Sequence, residues 1–165
     1  FFSKAQCFNC HNGPALNSMA FYALGMKDLY QAGDEILNSS RFSLENKGRG
    51  GFTEKQEDMF KFKVPQLYNL QSAVFYGHGA SFNSVEAIVR YKNEAIAENE
   101  LVPTSQLAEE FEPLELTDNE IDKIVAFLSE GLFDPDLNRF VPQDLPSGNC
   151  FPNNDPQSKF DLGCN

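Results

Sequence analysis

The sequence predicts a helical domain with long irregular connections, folded around a prosthetic group. Three observations carry that prediction. They are a Cys-x-x-Cys-His stretch from Cys7 to His11, two well-capped amphipathic helices, and Gly-, Pro- and Asn-rich segments between and after them. The first is the most specific. Cys-x-x-Cys-His is the pattern that attaches a c-type haem: two thiols add across the haem vinyl groups, and the next residue offers an imidazole to the iron. Two intervening residues let both sulfurs face one porphyrin edge, with His11 beneath the metal. A thioredoxin-like redox pair has no use for that histidine. The sequence also holds no second Cys-x-x-Cys and no His-x3-His to complete a zinc site.

Each element follows from local pattern. Phe1 to Cys10 is expected to form a short helix carrying the motif, broken at Gly13-Pro14. Residues 17–32 have no clean period and are expected as irregular chain lying over the cofactor. The polar, Gly-rich run 38–51 reads as loop. Phe60 to Val64 alternates apolar residues with Lys and is expected as a short extended piece ending at Pro65. Ser84 is placed to cap a helix from Val85 to about Asn93, with Val85, Ile88 and Val89 on one face. Thr117-Asp118-Asn119-Glu120 is a capping box, and Ile121, Ile124, Val125 and Leu128 follow at helical spacing until Gly131.

Residues 134–165 are rich in Pro, Asn and Asp and are expected to form an irregular extension packed on the domain 1–133. Cys150 and Cys164 lie in that tail, and a disulfide between them is the economical expectation; free thiols or links to another chain are the alternatives. Closing a loop of about 15 residues would stabilise by roughly 3 kcal/mol.

Composition narrows the function classes. Of 165 residues, 41% are hydrophobic and 16 are Phe, enough for a core alongside a haem. The net charge of -11 argues against nucleic acid, whose phosphates demand clustered Lys and Arg. That acidity serves solubility, and an acidic face would also steer a basic redox partner. No apolar run is long enough to span a bilayer. The sequence begins at Phe1 without an initiator Met, as though continued from an upstream segment where any signal peptide would lie. Covalent haem and four cysteines point to a periplasmic or other extracytoplasmic compartment. His11 fills one axial position, and spacing alone does not choose the other among His78, Met19, Met26 and Met59.

Longer motifs carry a resemblance. Phe62-Lys63-Val64-Pro65-Gln66-Leu67-Tyr68-Asn69 resembles the F-K-V-P-x-L-x-N signature of the C-terminal haem domain in bacterial di-haem cytochrome c peroxidases and related MauG-type enzymes. Tyr76 to Phe82 resembles their Y-x-H-D-G-x-F segment, Ser84 to Tyr91 their T-L-E-E-V-V-x-x-Y helix, and Cys7 to Pro14 their C-x-x-C-H-x-G-P start. With Leu116 to Leu128 matching the closing helix, the resemblance spans residues 1–133.

The resemblance implies an all-α, cytochrome c-like fold holding haem c. It implies an oxidoreductase domain that relays electrons to or from a second haem and a peroxide-reducing site. The implied partners are an N-terminal haem domain or another haem subunit, and a small redox protein as electron donor. Tyr91 aligns with the family's distal ligand position and is the implied sixth ligand, with Met59 and Met26 as alternatives. His78 matches a histidine near the haem, where it would orient a propionate or a backbone group. The family's calcium ion is bound by the stretch corresponding to Ala73-Val74-Phe75; that stretch departs from Thr-Ala-Pro, and Gly79-Ala80 replaces the family's Asp-Gly. The competing expectations are a mono-haem electron-transfer cytochrome without peroxidase activity, and a binding module in a larger haem assembly.

Overall fold

The computed structural model describes residues 1, 3–31, 40–136 and 160; Phe1–Phe133 form one compact unit, and the residues from Asp134 onward fall in a second. The expected Cys150–Cys164 bridge lies outside the described residues.

The first unit is organised by a pair of packed helices. Helix α2 (Val85–Glu94) starts where Ser84, in extended backbone, accepts a hydrogen bond from the Ala87 N–H. Helix α3 (Asp118–Ala126) starts with a complete capping box: the Thr117 side chain accepts from the Glu120 N–H, and the Glu120 carboxylate accepts from the Thr117 N–H. Each cap satisfies donors that helix geometry leaves orphaned, an effect worth about 1 kcal/mol. The apolar faces then meet. Val85 from α2 joins Ile124, Leu128, Leu132 and Ala5 in a buried cluster edged by Phe1, Leu16, Leu70 and Val89. After Ala126 the backbone widens into a π-turn, Phe127–Gly131. Outside the core, Arg90 bridges Glu86 at 2.7 Å and Asp118 at 2.9 Å, tying the starts of both helices at the surface.

An all-α architecture is not what the chain adopts. Helix α1 (Arg49–Thr53) has 5 residues, α2 has 10 and α3 has 9, and much of the remaining described chain is irregular or folded in single 3-10 turns. Strands β1 (Phe21–Tyr22) and β2 (Phe62–Lys63) form an antiparallel ladder pairing Phe21 with Lys63 and Tyr22 with Phe62. The alternation at residues 60–64 was a strand signal with a distant partner, which no local period in residues 17–32 announces. The physical reason for so little helix is the punctuation. Gly and Pro interrupt the chain between short runs, and left-handed Glu54 and Ala95 end α1 and α2.

Two local expectations change as well. Instead of a helix from Phe1 to Cys10 there is one 3-10 turn, Cys7–Asn9, because Gln6 sits in the left-handed region at φ 53. The Gly-rich run expected as loop contains the start of α1, whose Gly50 lets the Met59 backbone approach; a Cβ there would lie 2.6 Å from the Met59 Cα. None of the helices among the described residues is long and apolar enough to cross a membrane.

Candidate cofactor-attachment site

Cys7, Asn9, Cys10 and His11 are drawn into a single turn by their own backbone. The N–H groups of Cys10 and His11 both reach the Cys7 carbonyl, at 3.3 and 2.8 Å. The two cysteines are free thiols, half-buried in the turn. Burial pushes both thiols above the ordinary range. The Cys7 thiol donates to the Ala5 carbonyl at 3.4 Å. Cys10 receives a hydrogen bond from the Tyr22 hydroxyl, which partly opposes the effect of burial.

His11 is prepared as a neutral ligand. Burial holds its pKa below the usual imidazole range, and its Nδ1 lies 3.0 Å from the Leu16 carbonyl. A carbonyl only accepts, so Nδ1 carries the proton and the neutral ring keeps its lone pair on Nε2. Metal-bound histidines use this arrangement, in which a carbonyl fixes the tautomer and the ring orientation. The carbonyl is delivered by a tight turn: the Leu16 N–H bonds back to Gly13 at 3.1 Å, and Leu16 itself is left-handed at φ 45. Such a conformation costs a branched residue on the order of 1–2 kcal/mol. The Pro65 carbonyl also lies near the His11 ring and partly opposes the effect of burial.

The β1–β2 ladder links this turn to the rest of the site. It sets Tyr22 against Cys10 and, through the Val64 N–H bonded to the Ala20 carbonyl at 3.1 Å, fixes the chain leading into Pro65. On β2 the Phe62 ring stacks on His78, with ring centres 3.6 Å apart and 28° between planes.

His78 belongs to a polar network that the sequence does not announce. Its Nε2 lies 3.0 Å from the Asp28 carboxylate, which is 2% exposed. Asn99, equally buried, donates to the other Asp28 oxygen at 3.1 Å and accepts from Gln31 at 3.2 Å. The Asp28 N–H in turn donates to Gln31 at 2.8 Å. These partners lie 50 and 71 residues apart, so no sequence window contains them. One local signal existed. At Gly79, where the related motif has an acidic residue, a Cβ would lie 2.1 Å from the Lys27 carbonyl oxygen; the glycine marks a close backbone approach.

Tyr91 points inward from α2 and is 7% exposed. Its hydroxyl donates to the Leu24 carbonyl at 2.6 Å, and burial raises its pKa strongly, keeping the phenol protonated. Its ring meets Phe82 at 5.0 Å and Phe111 at 5.3 Å. A bridge between Tyr76 and Phe82 closes the loop carrying His78, so Phe82 connects that loop to Tyr91. Met59 packs on Gly50, while the Met26 sulfur sits 3.5 Å from the Cβ position of Gly77. Met19 is exposed. In the stretch considered for calcium, the Ala73 carbonyl accepts from the Tyr76 hydroxyl at 3.1 Å, and Val74 and Phe75 are exposed. Among the described residues, no cluster of three or more His, Cys, Asp or Glu side chains could hold a metal ion.

No family model matches this sequence. Curated relatives do. The chain is 27% identical over 144 residues to a cytochrome-c peroxidase, IdrP1, of Pseudomonas sp. (strain SCT), covering 78% of this chain and 37% of that protein. It is 29% identical over 156 residues to the cytochrome c551 peroxidase of Nitrosomonas europaea, covering 94% and 39%. Among solved structures, its fold is similar to that of a MauG-like protein associated with microbial copper homeostasis, with TM-score 0.61, 22% identity, and coverage of 80% of this chain and 41% of that one. The chain thus spans about two fifths of the length of these proteins. The resemblance to the di-haem cytochrome c peroxidase and MauG group holds in sequence and in fold.

Proposed function

We propose that this chain, a relative of the cytochrome c peroxidases, is a c-type haem domain of a peroxidase-like oxidoreductase. The observation carrying this is the prepared donor set: two free thiols and a tautomer-locked neutral imidazole within one turn. Each thiol would add across a haem vinyl group, its sulfur forming the new C–S bond while its proton goes to the other vinyl carbon. No oxidant is consumed. His11 Nε2 would bind the iron from one side, its Nδ1–H held by the Leu16 carbonyl. Bound there, the haem supplies a one-electron couple within the protein. The ladder keeps Tyr22 on Cys10.

Tyr91 would be the sixth ligand. To serve, its hydroxyl must leave the Leu24 carbonyl and lose the proton that burial now retains, so ligation and that hydrogen bond are mutually exclusive. Relay to a second haem and a peroxide-reducing site would involve the remaining length of the relatives, and an extracytoplasmic location follows from covalent haem. Residues 134–165 would be an extension of the haem domain. A second reading, for this chain taken alone, is a one-haem electron carrier, since residues 1–165 hold one Cys-x-x-Cys-His stretch.

A haem signal that stays with the polypeptide through a denaturing gel tests attachment. Peroxide-dependent oxidation of a reduced donor by the full-length protein tests the enzyme. Covalent haem without turnover, with both haems loaded, would leave the electron carrier.

A further inference from the structure

Two segments of opposite character adjoin on the surface of the first unit. Residues 41–63 carry six of the chain's 13 Lys and Arg against four of its 24 Asp and Glu, in a chain of net charge -11. Residues 94–122 carry ten Asp and Glu and no Lys or Arg. The segments touch where the Gln106 side chain donates to the Gln56 and Met59 carbonyls, at 2.7 and 3.1 Å. Arg41 also lines one groove with Glu98, Glu100 and Leu101. Among the described residues no ion pair joins the two segments.

The basic segment is braced so that its apolar side chains face outward. The Arg49 N–H donates to the Lys61 carbonyl at 2.8 Å, and the Phe60 N–H donates to the Lys47 carbonyl at 2.9 Å. Within that clamp, Asp58 accepts from the Thr53 hydroxyl at 2.8 Å and pairs with Arg49 at 3.1 Å. Gly51 brings α1 against the Leu44 carbonyl, which a Cβ would overlap. Phe42, Leu44 and Phe52 are left exposed, Phe52 at 91%, and the Arg41 guanidinium lies 4.6 Å above the Phe42 ring. Lys47 and Lys55 stand exposed around them. An aromatic centre with a charged rim is the composition of a contact surface. The acidic segment has a matching form: Ile96 and Leu101 are exposed among the exposed Glu94 and Glu100.

We propose that this face docks a second copy of the same chain, the basic loop of each copy seated on the acidic segment of the other. Adjoining patches of opposite sign are self-complementary under a two-fold axis, which sets the first patch on the second and the second on the first. Phe42, Leu44 and Phe52 would be buried against Ile96 and Leu101, while the opposed charges fix the register. Pairing thus neutralises charge that the single chain leaves unpaired, and covers apolar side chains that it leaves in water. The inference uses no cofactor and stands apart from the haem reading.

The test is sedimentation velocity of the full-length protein over a range of concentration and salt. Wild type should sediment as a dimer that weakens as salt rises, because the opposed charges are exposed. Phe52→Ser should raise the dimer dissociation constant by about tenfold or more, as removal of an aromatic anchor does. Charge reversal reads the pairing directly. Lys47→Glu with Lys55→Glu should be monomeric, and so should Glu100→Lys with Glu109→Lys. The two variants mixed should dimerise again, since each offers the sign the other lacks, and that recovery shows both are folded. A wild-type monomer throughout overturns the proposal, whether the face is open or covered by another part of the full-length chain. A dimer indifferent to Phe52→Ser and to both reversals has its interface elsewhere and overturns it as well. So does a mixture that stays monomeric.

Discussion

The attachment turn and the network around His78 meet on the same two-stranded ladder, yet they are built in opposite ways. The turn consists of consecutive residues whose bonds are mostly local, with its cysteines and histidine only half-buried. The network gathers Asp28, Gln31, His78 and Asn99 from three distant segments, and Asp28 and Asn99 are almost fully buried. A local, half-exposed site can lose its chemistry without losing the fold. A dispersed buried network cannot, because each deletion strands a polar partner away from water.

Substitutions at the two regions should therefore separate binding from stability. The largest effect is expected for Cys7→Ala with Cys10→Ala: complete loss of haem from the denatured polypeptide on a haem-stained gel, with the unfolding midpoint of the haem-free protein little changed. A large drop in that midpoint would break the contrast. Asp28→Ala should do the reverse. It should destabilise the haem-free protein by roughly 2–4 kcal/mol in denaturant unfolding, because His78 and Asn99 both lose their carboxyl partner.

Tyr91→Phe falls between the two. Loss of the hydroxyl's bond to Leu24 should cost about 1 kcal/mol. If Tyr91 ligates the iron, the same variant should also alter the optical spectrum of the haem-loaded protein; an unchanged spectrum would remove it as ligand. The smallest effect belongs to the surface. Glu120 is held down to about 2, chiefly by the Lys4 ammonium and then by Thr117. Its folded pKa lies below its unfolded value of 4.5, so its contribution is present above 4.5 and is lost as pH falls toward 2. Unfolding curves of wild type and Glu120→Gln should converge through that window; a constant gap would show that the cap's geometry, not its charge, matters.

Both helix starts were legible because a cap is local chemistry. Ser84 and Thr117 stand within three residues of the N–H groups they accept from. The extended piece at residues 60–64 was legible, but its partner at Phe21–Tyr22 was not, since pairing across 40 residues leaves no mark in either segment. The all-α expectation, which the family resemblance implied, did not foresee this ladder, because pairing at that range is not local. At the site, the residue types of the Cys7–His11 motif were plain. The carbonyls that hold His11 came unannounced, because any residue carries one.

By itself, the sequence determined the chemistry on offer: two thiols and an imidazole at a spacing that suits one prosthetic group, and two helices capped where their own residues dictate. Tertiary structure alone decided how that chemistry is held. It brought Pro65 and Leu16 to one ring, Tyr22 to Cys10 and Asp28 to His78. The physical reason is range. Capping and covalent attachment are fixed within a few residues, whereas desolvation, tautomer and field depend on which distant segments the core brings together.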